Sequence, residues 1–524
     1  MTDRTAPTAD AGAPPEARGE TSTVVEDARQ RTMILAAMCS ALVAVVASVS
    51  GLNVALQALA ADLNASQGEL LWVINGYTLT LAALLMPVGA IGDRVGRKVV
   101  LIAGLTVFAV ANGGSSFAPN VETLIALRVL AGVGAAMIMP VTLSVITTSF
   151  PIAERARAIG IWAGFAGTGG IIGLFASAAI IDNATWPWIF TVPLALTVVS
   201  FILTMLHVPR SRESGSPRFD SLGSIVSVLA VGGLVLGIHE GPEQGWTDPI
   251  TLTGLVVGTT AAIAFVIIEL GRDHPLLDVR LFKNRPLTIG SVNLFVTFAL
   301  MFAVFLVLIQ LLQAGFGYSA LRSASALLPM AAMMMPLSVV APTIANRIGY
   351  NRALGAGMLL FAIGLALMAL LADLDSGYMS VLPGIITIGA GVGLSMSPST
   401  TAITAALPDD KQGVASALND TVRELGGAVG IALIGAILNS QYRSNISDTA
   451  ETLPPEIAER VEEGIGGALA SAPQLGPEAN EVIRAAQQAF VDGFRPALLV
   501  GAGLAVAAAA YTLIPRRQEE LAQD

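Results

Sequence analysis

Cysteine and histidine are scarce in this chain of 524 residues, and both scarcities exclude classes of site. A single cysteine, Cys39, excludes a disulfide framework and a cysteine metal site. The three histidines, His207, His239 and His274, lack the spacing of metal ligands. No G-x-x-x-x-G-K-S/T phosphate loop occurs, so we predict that the chain does not hydrolyse ATP. No constellation indicates an enzyme, a metal site or a bound cofactor.

Charged residues are also few, at 13% of the chain, whereas hydrophobic residues make up 54% and the mean hydropathy is +0.71. Soluble domains carry about 25% charged residues, so this composition indicates an integral membrane protein. The apolar runs exceed the roughly ten residues of a barrel strand and do not alternate, which predicts helices. A formal net charge of −10 does not suggest nucleic-acid binding.

Fourteen apolar runs are long enough to cross a hydrocarbon core of roughly 30 Å as helices. We predict an all-α membrane protein with six spans in 33–208, two in a linker at 209–286 and six in 287–514. Residues 1–32 and 515–524 are predicted to be cytoplasmic tails, the first of them disordered, and 441–491 an outer polar loop with a short helix near 455–465. The spans are predicted at 33–57, 70–91, 99–118, 121–147, 156–181, 188–208, 221–240, 250–270, 287–313, 322–346, 353–372, 379–406, 413–440 and 492–514.

The loop between the second and third spans, residues 89–98, is short, basic and rich in glycine. Loops dense in Lys and Arg stay on the cytoplasmic side. Alternate loops on its side carry many basic residues, whereas the opposite short loops carry none. We therefore expect this loop and both termini to be cytoplasmic.

The pattern G-x-x-G-D-R-x-G-R-K in this loop resembles the signature loop of the major facilitator superfamily. The resemblance rests on Gly89, Asp93, Arg94, Gly96 and Arg97 at their family offsets. It implies that the loop latches the cytoplasmic gate, with the Asp near a helix start in the other half of the protein. A carboxylate is favoured at that positive end of a helix dipole.

The first two spans resemble the fourteen-span drug/proton antiporter branch of this superfamily. The retained motif is Asn53-Val-Ala-Leu, but Ser48 stands where the branch has an acid. In the second span, Asn75 and Tyr77 are candidates to line a substrate cavity, although aromatic residues near a span end also serve as interfacial anchors. Further candidate cavity residues, each of which could instead form an interhelical hydrogen bond, are Asn53, Asn293, Gln310 and Gln313.

Two more motifs of the family occur in altered form. Arg128-Val-Leu-Ala-Gly resembles the motif that places an Arg inside the membrane, where it either faces protein and water or extends to the outer surface. The fifth span keeps a face of glycines for tight packing, but Leu174 replaces the kinking proline of antiporters. Loss of this proline and of the first-span acid leaves proton coupling open.

The thirteenth span carries three charged residues on one helix face, Asp420, Arg423 and Glu424. Glu424 lies about 16 Å from the helix start, near mid-membrane. An acid at this depth must be paired, hydrated or protonated, as a proton carrier requires. We predict proton coupling by Glu424, Asp420, Arg423 and Arg128; the alternative is a structural charge cluster.

The resemblance implies a monomeric multi-pass transporter of the bacterial inner membrane that exports drugs or other amphipathic or cationic molecules. It also implies two six-helix bundles, at 33–208 and 287–514, with the two linker helices between them. It would use the proton gradient and no cofactor, with protons, the small substrate and lipid as its partners. One alternative is an exporter of an endogenous metabolite such as an amino acid, an antibiotic or a lipid precursor. A second is an uncoupled facilitator or a membrane sensor that does not transport.

Overall fold

The computed structural model describes residues 24–210, 219–476 and 479–514, and every regular element in these ranges is a helix. Fourteen helical segments are long and apolar enough to cross a membrane, which confirms the predicted number of spans. Most of both predicted tails and the linker segment 211–218 lie outside the described residues. The helices are α1 Ala28–Leu63, α2 Gln67–Val95, α3 Arg97–Ser115, α4 Val121–Ser149, α5 Ile152–Asn183, α6 Thr191–His207, α7 Ser221–Gln244, α8 Pro249–Leu270, α9 Arg285–Gln310, α10 Ala320–Ala326, α11 Leu328–Ile348, α12 Tyr350–Leu371, α13 Tyr378–Ala405, α14 Gln412–Ala450, α15 Pro455–Glu463, α16 Ile465–Ser471 and α17 Ala479–Leu513.

Two helical bundles form the body of the molecule. Helices α1–α6 pack together as the first half, and α9–α14 with α17 pack as the second half. The halves meet where α2 and α4 contact α14 and where α5 contacts α11 and α13. The extra helices α7 and α8 pack mainly against each other, and α7 also contacts α2 and α14. This arrangement confirms the predicted fold class.

Two equivalent turns relate the halves. Gly96 separates α2 from α3 with φ 118°, and Gly349 separates α11 from α12 with φ 95°. Both glycines adopt a left-handed conformation that residues with a Cβ avoid. The two halves therefore share an internal structural repeat at this turn.

Several helices extend beyond the predicted spans. Residues 24–32, predicted as part of the disordered tail, are ordered: Asp27 caps α1 and Arg31 pairs with Glu154 at 3.0 Å. The tenth span is broken into α10 and α11, with Pro329 in the first turn of α11. Proline is tolerated in the first turn because the backbone N–H groups there have no partner within the helix, so the missing N–H of proline costs no hydrogen bond.

The predicted outer loop 441–491 is largely helical. Helix α14 continues to Ala450, because Tyr442, Ile446 and Ala450 recur every fourth residue and form a buried stripe while the residues between them are polar. The Tyr442 hydroxyl donates to the carbonyl of Val461 at 2.9 Å and fixes the short helix α15 against this extension. The surface helix predicted near 455–465 is observed as α15.

Candidate functional site

The signature loop contacts the start of α14 in the opposite half. The Asp93 carboxylate accepts the backbone N–H of Gly413 at 2.8 Å and that of Val414 at 3.2 Å. These N–H groups are free because the first turn of a helix has no partners for them, and the helix dipole also favours the negative charge. Arg97 pairs with Asp93 at 2.8 Å and donates to the carbonyl of Asp409 at 3.2 Å.

Close backbone contact accompanies this ionic contact. Gly89 on α2 lies against Gly413 on α14, where a Cβ would stand 2.5 Å from the Gly413 carbonyl oxygen. A second contact between the halves joins Arg155 to Asp409 at 3.2 Å. Arg94 is half-buried in the same turn. The end of the molecule that carries the signature loop, hereafter the loop end, is therefore closed between the two halves.

Asp420 and Arg423 form a buried ion pair in the middle of the bundle. Their exposed fractions are 0% and 3%, and Arg423 Nη1 lies 3.0 Å from Asp420 Oδ1. The side-chain amide of Asn419 also donates to Asp420 Oδ1 at 3.2 Å. The guanidinium lies 4.4 Å from the ring centre of Phe298 in its own half and 5.5 Å from that of Trp162 in the other half. This pair therefore lies at the seam between the halves, with both charges compensated.

Glu424, the next residue, has a different environment. Its side chain is only half-buried, and across the described ranges it forms no hydrogen bond or ion pair. It is close enough to Arg423, Asp420 and Tyr77 to interact with them electrostatically. Tyr77 belongs to α2, so Glu424 lies within electrostatic range of the first half. A carboxyl without a fixed partner is free to take up and lose a proton.

Arg128 lies at the centre of a polar network inside the first half. It is 0% exposed, donates to Ser48 Oγ at 2.9 Å and to the carbonyl of Val73 at 3.1 Å, and lies 4.3 Å from the ring centre of Tyr77. Ser48 donates in turn to Asn112 Oδ1 at 3.2 Å. This burial excludes the alternative in which Arg128 extends to the outer surface. The Nη2 of Arg128 has no hydrogen-bond partner among the described residues.

The six predicted cavity residues lie in different surroundings. Tyr77 is buried within the first half and donates to the carbonyl of Val45 at 3.0 Å, so it is not an interfacial anchor. Asn75 is half-buried and lies 3.3 Å from a ring nitrogen of His239 on α7. Asn293 is fully buried and donates to Thr512 Oγ1 at 2.7 Å. Asn293 therefore forms a hydrogen bond between α9 and α17 in this conformation.

The remaining three predicted residues are at least partly exposed. Asn53 is exposed on α1, Gln310 is half-buried at the end of α9, and Gln313 is exposed in the π-helical turn that follows it. In the fifth span, Gly173 packs onto Ala47 of α1 in the same half. Gly169 and Gly170 also lie against α1, whereas Gly164 faces Met335 on α11.

Sequence reasoning missed three members of these networks: Asn112, Trp162 and Phe298. An amide within an otherwise apolar third span was a usable signal for Asn112. No pattern distinguishes Trp162 or Phe298 from other apolar residues in their spans. Among the residues that the structure describes, no group of three or more His, Cys, Asp or Glu side chains could hold a metal ion.

Comparison with known proteins places this geometry in context. The sequence profile of the Major Facilitator Superfamily matches residues 36–431. The chain is 32% identical over 466 residues to the multidrug efflux pump LfrA of Mycolicibacterium smegmatis, covering 88% of this chain and 92% of that protein. It is 29% identical to the tetracenomycin C resistance and export protein of Streptomyces glaucescens, covering 89% and 88%. The crystal structure of the human organic anion transporter MFSD10 superposes with a TM-score of 0.57 at 12% identity, covering 92% of this chain and 99% of that one.

Proposed function

Because this chain belongs to the major facilitator superfamily and is a transporter, we propose that it is a proton-coupled exporter of amphipathic or cationic small molecules. The proposed location is the bacterial inner membrane, with the loop end and both termini in the cytoplasm. The bias of Lys and Arg towards loops on the loop-end side supports this orientation.

The observation that carries the proposal is the contrast between two acids one helical turn apart. Asp420 is compensated by Arg423 at 3.0 Å, whereas Glu424 has no such partner in the described structure. A permanently charged, unpaired acid within a membrane helix is costly, so Glu424 must be neutralised in part of the cycle. Binding a proton achieves this without another ligand. Glu424 is therefore the proposed proton carrier, and Asp420 holds Arg423 at the seam.

The closed loop end supplies the second part of the mechanism. If this end faces the cytoplasm, the present conformation is one in which the cytoplasmic route is shut by Asp93 and by the contact between Gly89 and Gly413. Rocking of the halves would break these contacts and open the cavity to the cytoplasm. Protonation of Glu424 from outside, followed by release inside, would make outward passage of the substrate favourable.

The substrate class follows from the lining and from the relatives. The seam between α5 and α11 is apolar and rich in methionine, and unbranched methionine side chains adapt to ligands of different shape. Glu424 adds a negative charge that would favour a cation. Among the relatives, LfrA is named a multidrug efflux pump, and the Salmonella typhimurium relative SmvA is named a methyl viologen resistance protein.

Proteoliposomes carrying an imposed proton gradient test the proton carrier. We expect Glu424→Gln to abolish uphill, gradient-driven transport of a dye cation while exchange down a substrate gradient persists. The matched control is Asp420→Asn, which changes the neighbouring acid on the same helix. We expect this variant to transport less because it is less stable, but its transport should still depend on the proton gradient. Full gradient-driven transport by Glu424→Gln would contradict the proposal.

One observation favours an uncoupled facilitator as a second candidate: Arg128 is paired with the neutral Ser48, not with an acid. In that case wild-type protein would move substrate without any proton flux, and Glu424→Gln would have no effect.

Export of an endogenous metabolite would use the same machinery. A panel of drugs, antibiotics and amino acids offered to a pump-deficient host distinguishes these substrates.

A further inference from the structure

Two buried carboxyl groups face each other at the loop end of the helical pair α7–α8. Asp220 caps α7, and its Oδ1 accepts the N–H of Gly223 at 2.8 Å. Glu269 lies in the last turn of α8, and its Oε2 accepts the N–H of Leu277 at 3.2 Å. The exposed fractions are 5% for Asp220 and 0% for Glu269, so bulk water does not solvate either carboxyl group.

The other oxygen of each group points at its neighbour. Asp220 Oδ2 and Glu269 Oε1 are both buried, and neither accepts a hydrogen bond from a described donor. Both oxygens converge over Gly223, where a Cβ would clash with each of them. Ionised carboxylates are acceptors only, so this contact is repulsive unless one group carries a proton. A proton held between the two oxygens would relieve this repulsion and give one of them a donor.

The surrounding charges decide which group holds this proton. Arg272 Nη1 lies 3.1 Å from Asp220 Oδ1 and compensates one negative charge. Within the described ranges Glu269 has no ion pair, and its only other polar neighbours are backbone N–H groups. Asp220 is thus the ionised partner and Glu269 the protonated one. Among the described residues, a second negative charge at this buried position would have no counter-ion.

Other charged groups near this end are engaged elsewhere. Arg280 donates to the carbonyl of Leu270 at 2.6 Å, and Lys411 approaches the carbonyl of Pro275 at 3.5 Å. Asp273 and His274 point to the exterior. Helices α2 and α14 pack against α7, and the charged groups at or next to their loop ends are Asp93 and Arg94 on α2, Arg97 at the start of α3 and Lys411 before α14. Asp93 and Arg97 pair with each other.

We propose that Asp220 and Glu269 bind one proton between them, and that this proton holds the base of α7–α8 against the connector into the second half, residues 271–284. Its loss would place two carboxylates in contact and separate α7 from α8. The connector would then be released from Glu269, while Lys411 ties it to the segment that starts α14. The site is independent of Glu424, and its proton is held, not transported.

Infrared spectroscopy of the purified full-length protein tests the bound proton directly. At neutral pH, wild type should show a carboxylic acid C=O band that shifts in D₂O and is absent from Glu269→Gln. Asp273→Asn, a change of an exposed acid in the same connector, should keep the band. If Glu269→Gln keeps the wild-type carboxylic acid band, the proposal is wrong. The proposal is also wrong if Glu269 is ionised and residues 271–284 become ordered only when sodium is added, because a cation would then take the place of the proton.

Hydrogen exchange of residues 271–284 tests the consequence. After correction for intrinsic rates, exchange in wild type should rise several-fold between mildly acidic and alkaline pH. Asp220→Asn retains an N-cap residue and supplies an N–H to Glu269, so its connector should stay protected at alkaline pH. Glu269→Gln should behave in the same way. An equal rise in wild type and both variants would contradict the proposal, whatever the outcome for proton coupling at Glu424.

Discussion

Neighbouring charges on α14 differ because their surroundings differ. Asp420 and Arg423 are three residues apart and neutralise each other, and aromatic rings from both halves surround the guanidinium. Glu424, in the same turn, has no hydrogen bond or ion pair in the described structure and lies within electrostatic range of Tyr77. The cost of an ion in a membrane bundle depends on its partners, not on its depth alone. Two acids one helical turn apart therefore differ in their chemistry.

Arg128 offers a test of a buried cation held by neutral partners. We expect Arg128→Lys to lower the free energy of unfolding by about 2 kcal/mol, because an ammonium cannot bind Ser48 and the Val73 carbonyl in the planar geometry of a guanidinium. Thermal unfolding in detergent measures this. Arg322→Lys is the control, since Arg322 also stacks on a tyrosine, at 3.8 Å, but is exposed. Equal melting temperatures for both variants would contradict the prediction.

Helices α2 and α14 meet through glycines at the loop end, and their spacing leaves no room for a methyl group. In Gly89→Ala the new Cβ would lie 2.5 Å from the Gly413 carbonyl and 2.7 Å from the Ala417 Cβ. Relieving this overlap costs about 1–3 kcal/mol, so we expect the population of the closed loop end to fall. Gly435→Ala on α14 is the matched control, because nothing lies within 4 Å of its Cβ.

Spin-label distances across the loop end measure this change. Ile152 on α5 and Asp410 before α14 are both exposed and belong to opposite halves, so labels on cysteines placed there report the opening. The natural Cys39 is buried and would be replaced by serine. We expect longer distances in Gly89→Ala than in Gly435→Ala. Identical distributions would show that the glycine contact does not control closure.

Relative motion of the two halves predicts which helix pairs tolerate a covalent link. Gly164 on α5 and Met335 on α11 belong to opposite halves, and a Cβ on Gly164 lies 3.6 Å from the Met335 Cα, a distance that suits a disulfide. In a Cys39→Ser background, we expect oxidation of Gly164→Cys with Met335→Cys to stop transport, and reduction to restore it.

The α7–α8 pair is expected to move with the first half. His239 on α7 bonds to Asn75 on α2 at 3.3 Å, and Val231 and Val235 pack with Ala82 of α2. A link between Ala83→Cys and Gly232→Cys, whose Cβ atoms lie 3.3 Å apart, is therefore the control for the α5–α11 link and should leave transport intact. Transport blocked equally by both links would indicate that α7 slides on α2.

Much of the architecture could be predicted before the structure. Apolar length, the scarcity of charge and the bias of basic residues among the loops are local properties of the sequence, so they determined the number of spans and the family resemblance. Helix ends were less predictable where the apolar pattern changes character. Helix α14 continues beyond the predicted end at residue 440 because one side of its extension is buried against α15 and α17. The other side is polar, so a hydropathy profile shows the extension as a polar loop.

The sequence by itself determined that Asp420, Arg423 and Glu424 share a helix face deep in a membrane span, since this needs only the helical repeat. Tertiary structure alone decided that Asp420 is paired and Glu424 is not, and that Arg128 meets Ser48 and Tyr77. The reason is physical. A side chain's partners in a bundle come from helices far apart in sequence, and their distances depend on how the helices pack, which no local pattern encodes.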